Sequence, residues 1–321
     1  ASDYIASQLR LFGVAPAGDL PADKSTAGLF DSSENTYFQN FTLIKTIPGE
    51  PPVMKIIVSE GKDHIRTTNP QPDTDFFVYG QRQSVEMEAP VVFVGYGIRN
   101  EKLRIDDFSN LDLRGKLVLR IAGSPGFLED KLSVAEMLYL SRDAERIARQ
   151  AGAAGMITFD PSAAVPVPPR RNPFPDIAYA EASQSPGRRS ASYSLPSTKS
   201  PDSFISILVS ARTADELFSG TGFNVEEFVS NSVKKHVKPI TLPADRKIYI
   251  KTNVKTENVR VRNVVGIIKG KDTSQIIVLG AHYDHMGMSD GYVWNGADDN
   301  GSGTVGIMTI AKAIMETGIK P

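Results

Sequence analysis

The sequence predicts an α/β protein built in two parts, and three observations carry that class. Residues 274–282 ("SQIIVLGAH") form a continuous apolar run, which is how a strand covered on both faces of a sheet reads. A polar loop follows it, and then a helical pattern from about Gly303, giving the first half of a βαβ unit. Upstream, glycine-bounded apolar runs flank a helical stretch, so a separate strand–helix–strand module precedes that unit.

Taken in order, Asp3 to Phe12 ("DYIASQLRLF") place Tyr4, Ile5, Leu9 and Phe12 on roughly one face of a helix, with Ser2 as its cap and Gly13 as its stop. "TYFQNFTLIKTI" and "PVMKIIVSE" carry the β-branched and aromatic bias of strands. From about Val85, "APVVFVGYGI" and "GKLVLRIAG" are apolar strands bounded by glycine. Val134 to Ala151 is a helix with Met137, Leu138, Ile147 and Ala148 among its apolar residues; it ends at Gly152, and "GMITF" is the next strand. The proline-, serine- and arginine-rich stretch 161–201 is too long for one compact element and reads as a loop with short strands. "SFISILVSARTADELFSGTGFNVEEFVSN" supplies a strand and two short helices. After Lys234 the alternating "RKIYIKTNVKTENVRVRNVVGII" reads as strands paired antiparallel, polar on one side. "GTVGIMTIAKAIMETG" places Val305, Ile307, Met308, Ile310, Ala311 and Ile314 in a helix stopped by Gly318.

The bulk composition sets bounds on function. With 321 residues the chain accommodates two domains of ordinary size, and 40% hydrophobic content fits a globular protein. Thirty-six basic residues against 37 acidic ones leave a net charge of -1, without the basic excess of a nucleic-acid binder. No apolar run approaches the roughly 20 residues that cross a bilayer. The absence of cysteine rules out disulfides and thiolate metal sites and leaves the compartment open. A first residue Ala1, with neither Met nor a signal peptide, reads as a processed or trimmed start.

The chemistry gathers in "GAHYDHMGMSDGYVWNGADDNGSGTVG", residues 280–306. Ligands of open α/β sheets bind beyond the carboxyl ends of the strands, and His282 and Asp284 fall there. Asp299 stands just before a helix amino terminus, where the dipole favours the ionised carboxylate. A divalent cation would offset the repulsion among these carboxylates, and imidazole with carboxylate suits zinc, with manganese or cobalt as substitutes. His-x-Asp also fits a ligand whose second ring nitrogen is held by a carboxylate, which gives Asp284 the task of orienting His282. The bland reading of the same residues is that Asp298, Asp299 and Asn300 build a turn and cap the helix. A calcium loop starting at Asp298 fails, because its twelfth position is Thr309 where a bidentate glutamate is required. No nucleophile elbow and no phosphate-binding Walker loop is present.

"GAHYDHMG" and "NGADDNGSG", at this separation, closely resemble the paired motifs of the di-zinc exopeptidases, metallopeptidase family twenty-eight, which also holds catalytically silent members. "FGVAPAGD" and "TYFQNFTLIK" resemble the amino-terminal lead of periplasmic members. "VVFVGYGI", "DLRGKLVL" and "ARQAGAAGMITFD" resemble the protease-associated (PA) domain inserted in such enzymes. The resemblance implies a zinc-peptidase α/β/α domain with a mixed, mostly parallel sheet and an inserted β-rich PA domain. It divides the chain into residues 1–84 and 233–321 of the peptidase domain and an insert at 85–232. It implies that His282 ligates one zinc, that Asp299 bridges two with a cis peptide bond to Asn300, and that Asp284 orients His282. Asp298, without a ligand role in the family, becomes pocket wall or turn, and His285 a hydrogen-bonding neighbour; Trp294 and Asn295 either line the substrate entrance or simply pack. His64 and His236 stand alone in polar surroundings and read as solvated.

The implied activity is that of an aminopeptidase acting on peptide or protein substrates, periplasmic or extracellular, with two zinc ions and a metal-activated water. The family's general base, its neighbouring glutamate ligand, and a later aspartate and histidine all lie beyond Pro321 in its pattern. The chain therefore reads as the amino-terminal portion of a longer enzyme whose carboxy-terminal half is its missing partner. Two ligands without the base imply weak zinc occupancy and no hydrolysis by residues 1–321 alone. The alternatives are a binding or scaffold protein with a silent peptidase domain, and a carboxypeptidase, dipeptidase or cyclase using the same metals.

Overall fold

The computed structural model describes residues 1–20, 36–59, 64–163, 191–196, 203–272, 274–289 and 292–321. In chain order these form helix α1 (Ser2–Leu11), strands β1 (Ala15–Pro16), β2 (Phe38–Pro48), β3 (Val53–Ser59), β4 (Ile65–Thr68), β5 (Phe76–Tyr79), β6 (Val85–Phe93), β7 (Arg99–Asn100), β8 (Ile105–Asp106) and β9 (Leu117–Ile121), and helix α2 (Val134–Gln150). Then come β10 (Gly155–Phe159), β11 (Ser192–Ser194), β12 (Ile205–Val209), α3 (Ala211–Phe218), α4 (Val225–Asn231), β13 (Arg246–Thr252), β14 (Val254–Val264), β15 (Gly266–Ile267), β16 (Gly287–Ser289), β17 (Tyr292–Trp294) and α5 (Ser302–Thr317). They divide into two compact units, one of residues 46–192 and 197–257 and the other of residues 1–45, 193–196 and 258–321.

The first of these units is built on an eight-stranded mixed sheet in the order β4-β3-β13-β6-β9-β10-β12-β5. Strands β6, β9, β10 and β12 run parallel, while β4, β3 and β13 on one side and β5 on the other pair antiparallel. The residue pattern explains the arrangement. Strand β9, "LVLRI", is buried at every position. Leu117, Leu119 and Ile121 join one core with Phe159, Ile207 and the helix residues Leu217, Phe218 and Phe228. Val118 points the other way, into a core with Met156 and with Ala144, Ile147 and Ala148 of α2. Successive side chains of a strand face opposite sides, so two covered faces call for apolar residues at nearly every position; the exception, Arg120, is buried with its Nε donating to the Ile121 carbonyl. On β3 the alternation returns: Met54, Ile56 and Val58 are buried, and Val53 and Lys55 are exposed. Phe93 meets Phe218, Phe223 and Phe228 edge-on with ring centroids 5.0, 5.4 and 5.8 Å away, the favoured aromatic geometry. Helix α2 starts with a reciprocal capping box between Ser133 and Glu136 and is followed by Gly152 at φ +79°.

His236, expected to be solvated, is instead tied down in this unit. Its Nε2 lies 2.7 Å from Oδ1 of Asp107, whose other oxygen accepts the Ile98 N–H. Burial pushes the Asp107 carboxyl above its ordinary range, against the hydrogen bonds from Ile98 and His236. The polar flanks of His236 gave no hint of a carboxylate so distant in sequence. His64 is exposed.

In the second unit α1 and α5 share a small core of Ala6, Leu9, Val14, Tyr37 and Ala311. Strand β1 pairs antiparallel with β15, and β11, β2 and β14 form a three-stranded sheet. Ser2 lies inside α1, whose preceding residue Ala1 makes no side-chain cap bond, so the expected cap is one residue out of place.

Two further expectations fail. Strands β13 and β14 do not pair with each other: β13 lies between β3 and β6, and β14 lies beside β2. Ile248 and Ile250 find a core in the large sheet, whereas β14 is mostly exposed or half-buried. The run Ile276–Leu279 forms no strand, and its four side chains are 62, 85, 83 and 55% exposed. Among the described residues no strand pairs with it, and without a neighbour an apolar run has no sheet to enter. Most of stretch 161–201 lies outside the described residues; its described strand, β11, adds to β2.

Candidate metal-binding loop

The site residues sit in the second unit on two arms of one loop. The first arm is residues 281–286, after the exposed apolar run. The second is the irregular turn Ala297–Gly301, which leads into α5. Between the arms, β16 and β17 pair antiparallel, with Gly287 opposite Trp294 and Ser289 opposite Tyr292.

His282 and Asp299, seventeen residues apart in the sequence, converge: Nε2 lies 3.1 Å from Oδ1 of Asp299. The other ring nitrogen, Nδ1, is 2.9 Å from the backbone carbonyl of Asp284, while the Asp284 carboxylate is 3.6 Å away. The residue two positions on therefore holds the ring through its peptide oxygen. A carbonyl can only accept, so Nδ1 carries a proton; Nε2 donates to the Asp299 carboxylate when the ring is charged and offers its lone pair to a cation when the ring is neutral. That carbonyl holds the imidazole pKa above its ordinary value against desolvation, with smaller contributions from the charges of Asp299 and Asp284.

The remaining expected residues gather around this pair to different degrees. His285 brings Nδ1 to 4.0 Å from Oδ2 of Asp299, with its side chain 22% exposed. Asp298 has its carboxylate 3.3 Å and its carbonyl 2.9 Å from the Ser302 hydroxyl, as a turn residue would. Trp294 is half-buried and Asn295 exposed at the end of β17. The Asp299–Asn300 peptide bond is cis, and Asp299 and Asn300 have non-helical backbone angles. Asn300 Oδ1 accepts the Gly303 N–H at 3.1 Å, which caps the first turn of α5.

Two positioning features were not legible as site residues. Gly296 adopts φ +62°, and a Cβ there would meet Cγ of His285 at 2.5 Å and the Asp299 carbonyl oxygen at 2.8 Å. The Asn-Gly pair in "WNGADD" signals a turn but not that a ring lies over the glycine. Tyr283 Oη donates to the Arg262 carbonyl at 2.5 Å, a tie spanning 21 residues.

An imidazole and a carboxylate converging without sulfur fit zinc in kind. They fall short in number, since a zinc centre takes at least three protein donors. Among the described residues no group of three or more histidine, aspartate or glutamate side chains is arranged to hold a metal ion. The loop is also open: His282 is 52% and Asp299 76% exposed at the side chain.

Known proteins resemble the stretch that holds this loop. Residues 263–321 match the model of Peptidase family M28. Over 76 residues the chain is 42% identical to leucine aminopeptidase 2 of Arthroderma otae. Over the same length it is 43% identical to leucine aminopeptidase 2 of Trichophyton rubrum. Each matched stretch is 23% of this chain and 14% of the relative's length. Among solved structures, an aminopeptidase from Aneurinibacillus sp. strain AM-1 aligns with 98% of this chain and 53% of its own, at 16% identity and a TM-score of 0.45. A zinc aminopeptidase from Bacillus subtilis aligns with 98% of this chain and 51% of its own, at 16% identity and a TM-score of 0.31. The chain thus spans about half the length of these structures.

Proposed function

We propose that the whole protein is a zinc-dependent exopeptidase, most simply an aminopeptidase that removes amino-terminal residues from peptides. The observation that carries this reading is the 3.1 Å approach of His282 Nε2 to Asp299 Oδ1, inside the 263–321 stretch that matches a peptidase family. In this reading His282 and Asp299 would hold zinc, as the resemblance implies. Asp284 fixes the tautomer of His282 through its carbonyl oxygen, which leaves Nε2 as the donor. Bound zinc would supply a Lewis acid and lower the pKa of water. His285 and Asp298 belong to the wall of the site, and Trp294 and Asn295 to the substrate entrance. The two ligands are too few to hold a dinuclear centre, so residues 1–321 by themselves take up zinc weakly and hydrolyse little. We assign residues 85–232 to an inserted PA domain and the protein to the periplasm or the exterior; no helix among the described residues is long and apolar enough to cross a membrane.

The test is zinc content together with hydrolysis of leucine p-nitroanilide by the full-length protein. His282→Ala and Asp299→Asn are each expected to lower kcat/KM by at least about 100-fold, with loss of bound zinc. Undiminished hydrolysis by zinc-free protein rejects the reading, as does full activity in both variants.

A further inference from the structure

The first arm poses a mechanical problem. His282 follows a run that forms no strand, and among the described residues no backbone–backbone hydrogen bond anchors 275–286. The Tyr283 hydroxyl ties the arm to Arg262 and the β16–β17 hairpin joins it to the second arm, but neither contact falls on His282, whose Nε2 lies 3.1 Å from Asp299. A further tie at His282 itself connects it to the helix.

Thr304, in the first turn of α5, makes that connection. Its Oγ1 lies 3.0 Å from the backbone carbonyl oxygen of His282, across 22 residues of sequence. It also lies 3.2 Å from the carbonyl oxygen of Asn300, four residues back. One hydroxyl proton is thus presented to both arms, at the residue that carries the imidazole and at the residue next to the carboxylate.

Other hydroxyls of the same helix show why this is more than a helix habit. Serine and threonine in helices commonly donate to the carbonyl four residues back. Ser302 does so to Asp298 at 2.9 Å, Thr309 to Val305 at 2.9 Å and Thr317 to Ala313 at 2.8 Å. For none of these three does a described hydrogen bond lead to another segment of the chain. Thr304 has its longer contact to the helical carbonyl and its shorter one to His282.

We infer that Thr304 is a further positioning residue of the candidate site, a clasp whose hydroxyl fixes His282 against the Asp299 turn. Its hydroxyl reaches the backbone carbonyls of His282 and Asn300 and neither ionisable side chain, so it acts through the backbone that carries them. The inference rests on the reading of His282 and Asp299 as zinc ligands for its functional meaning, but the clasp itself is a statement about metal-free protein.

The experiment compares wild type with Thr304→Val, which keeps shape and loses the hydroxyl, and with Thr304→Ser, which keeps the hydroxyl. Thr309→Val is the control, removing an equivalent helical bond with no second partner. In the metal-free chain, nuclear Overhauser contacts between the His282 ring and residues 296–304 are expected to vanish in Thr304→Val and to persist in the other two. Zinc affinity by titration is expected to fall about 10- to 100-fold in Thr304→Val only, the range for loss of a group that orients a ligand. Contacts that survive in Thr304→Val overturn the clasp, and so does an equal loss in Thr309→Val. If contacts vanish as expected while the full-length wild type takes up no zinc, the clasp stands and the metal reading fails.

Discussion

Strand β9 and the run Ile276–Leu279 are nearly the same text in opposite surroundings. "LVLRI" is buried at every position, whereas "IIVL" exposes each side chain by 55% or more. Both satisfy the pattern of a strand covered on two faces. Strand β9 has parallel neighbours β6 and β10, a helix on one side and an aromatic core on the other. The later run has no paired strand among the described residues. An apolar run states what a segment can stabilise; neighbours decide whether it does. The difference also separates two ways of placing a residue. In β9 position is set by packing, and in the loop after Leu279 by a few hydrogen bonds.

The largest expected effect breaks or keeps that contrast directly. Leu119→Ala should cost about 2–5 kcal/mol in urea unfolding, the usual range for a buried leucine. Ile277→Ala should stay within about 0.5 kcal/mol, as for surface changes. A loss at 277 matching that at 119 would mean that a neighbour covers this run in solution. The next effect addresses the loop. Gly296→Ala forces a side chain into φ +62° and against His285 and Asp299, with an expected cost of about 1–3 kcal/mol. Amide exchange over 281–304 should quicken in that variant while exchange in β9 stays unchanged; unaltered loop exchange would count against the strained turn.

The smallest effect is electrostatic. The His282 imidazole should hold its proton to higher pH than an ordinary histidine, and Asp299→Asn should lower that midpoint, as read by imidazole resonances against pH. The sign follows from the raised folded pKa: the stabilisation is fully present below the unfolded value of 6.5 and fades as pH rises through the folded one. An unmoved midpoint in Asp299→Asn would show that the two side chains do not meet in solution.

The sequence made much of this molecule legible, for identifiable reasons. Helices α2 and α5 announce themselves by periodicity and by Gly152 and Gly318, both at positive φ. Strands β9, β10 and β12 read as apolar runs because the large sheet covers them on both sides. Strand pairing was less legible: nothing in "RKIYIKTNVKTENV" says that its first half joins β3 and β6 while its second joins β2. In the site, residue types and spacing singled out His282 and Asp299, because ionisable side chains clustered after an apolar run are unusual. The tie from Thr304 and the seat at Gly296 escaped notice, since a threonine in a helix and a glycine in a turn are ordinary until their partners are known. The orienting oxygen of Asp284 belongs to its backbone, which no side-chain pattern encodes.

The hairpin of β16 and β17 has a consequence for how the two arms come together. Joining distant points of a chain costs entropy that grows with the length of the closed loop, though slowly. Pairing Gly287 with Trp294 draws the chain ends flanking the hairpin side by side, so only a few residues on each side remain to be ordered before 282 and 299 meet. The imidazole and the carboxylate are therefore brought within reach by the hairpin at little entropic cost, which leaves the Thr304 hydroxyl to fix them face to face.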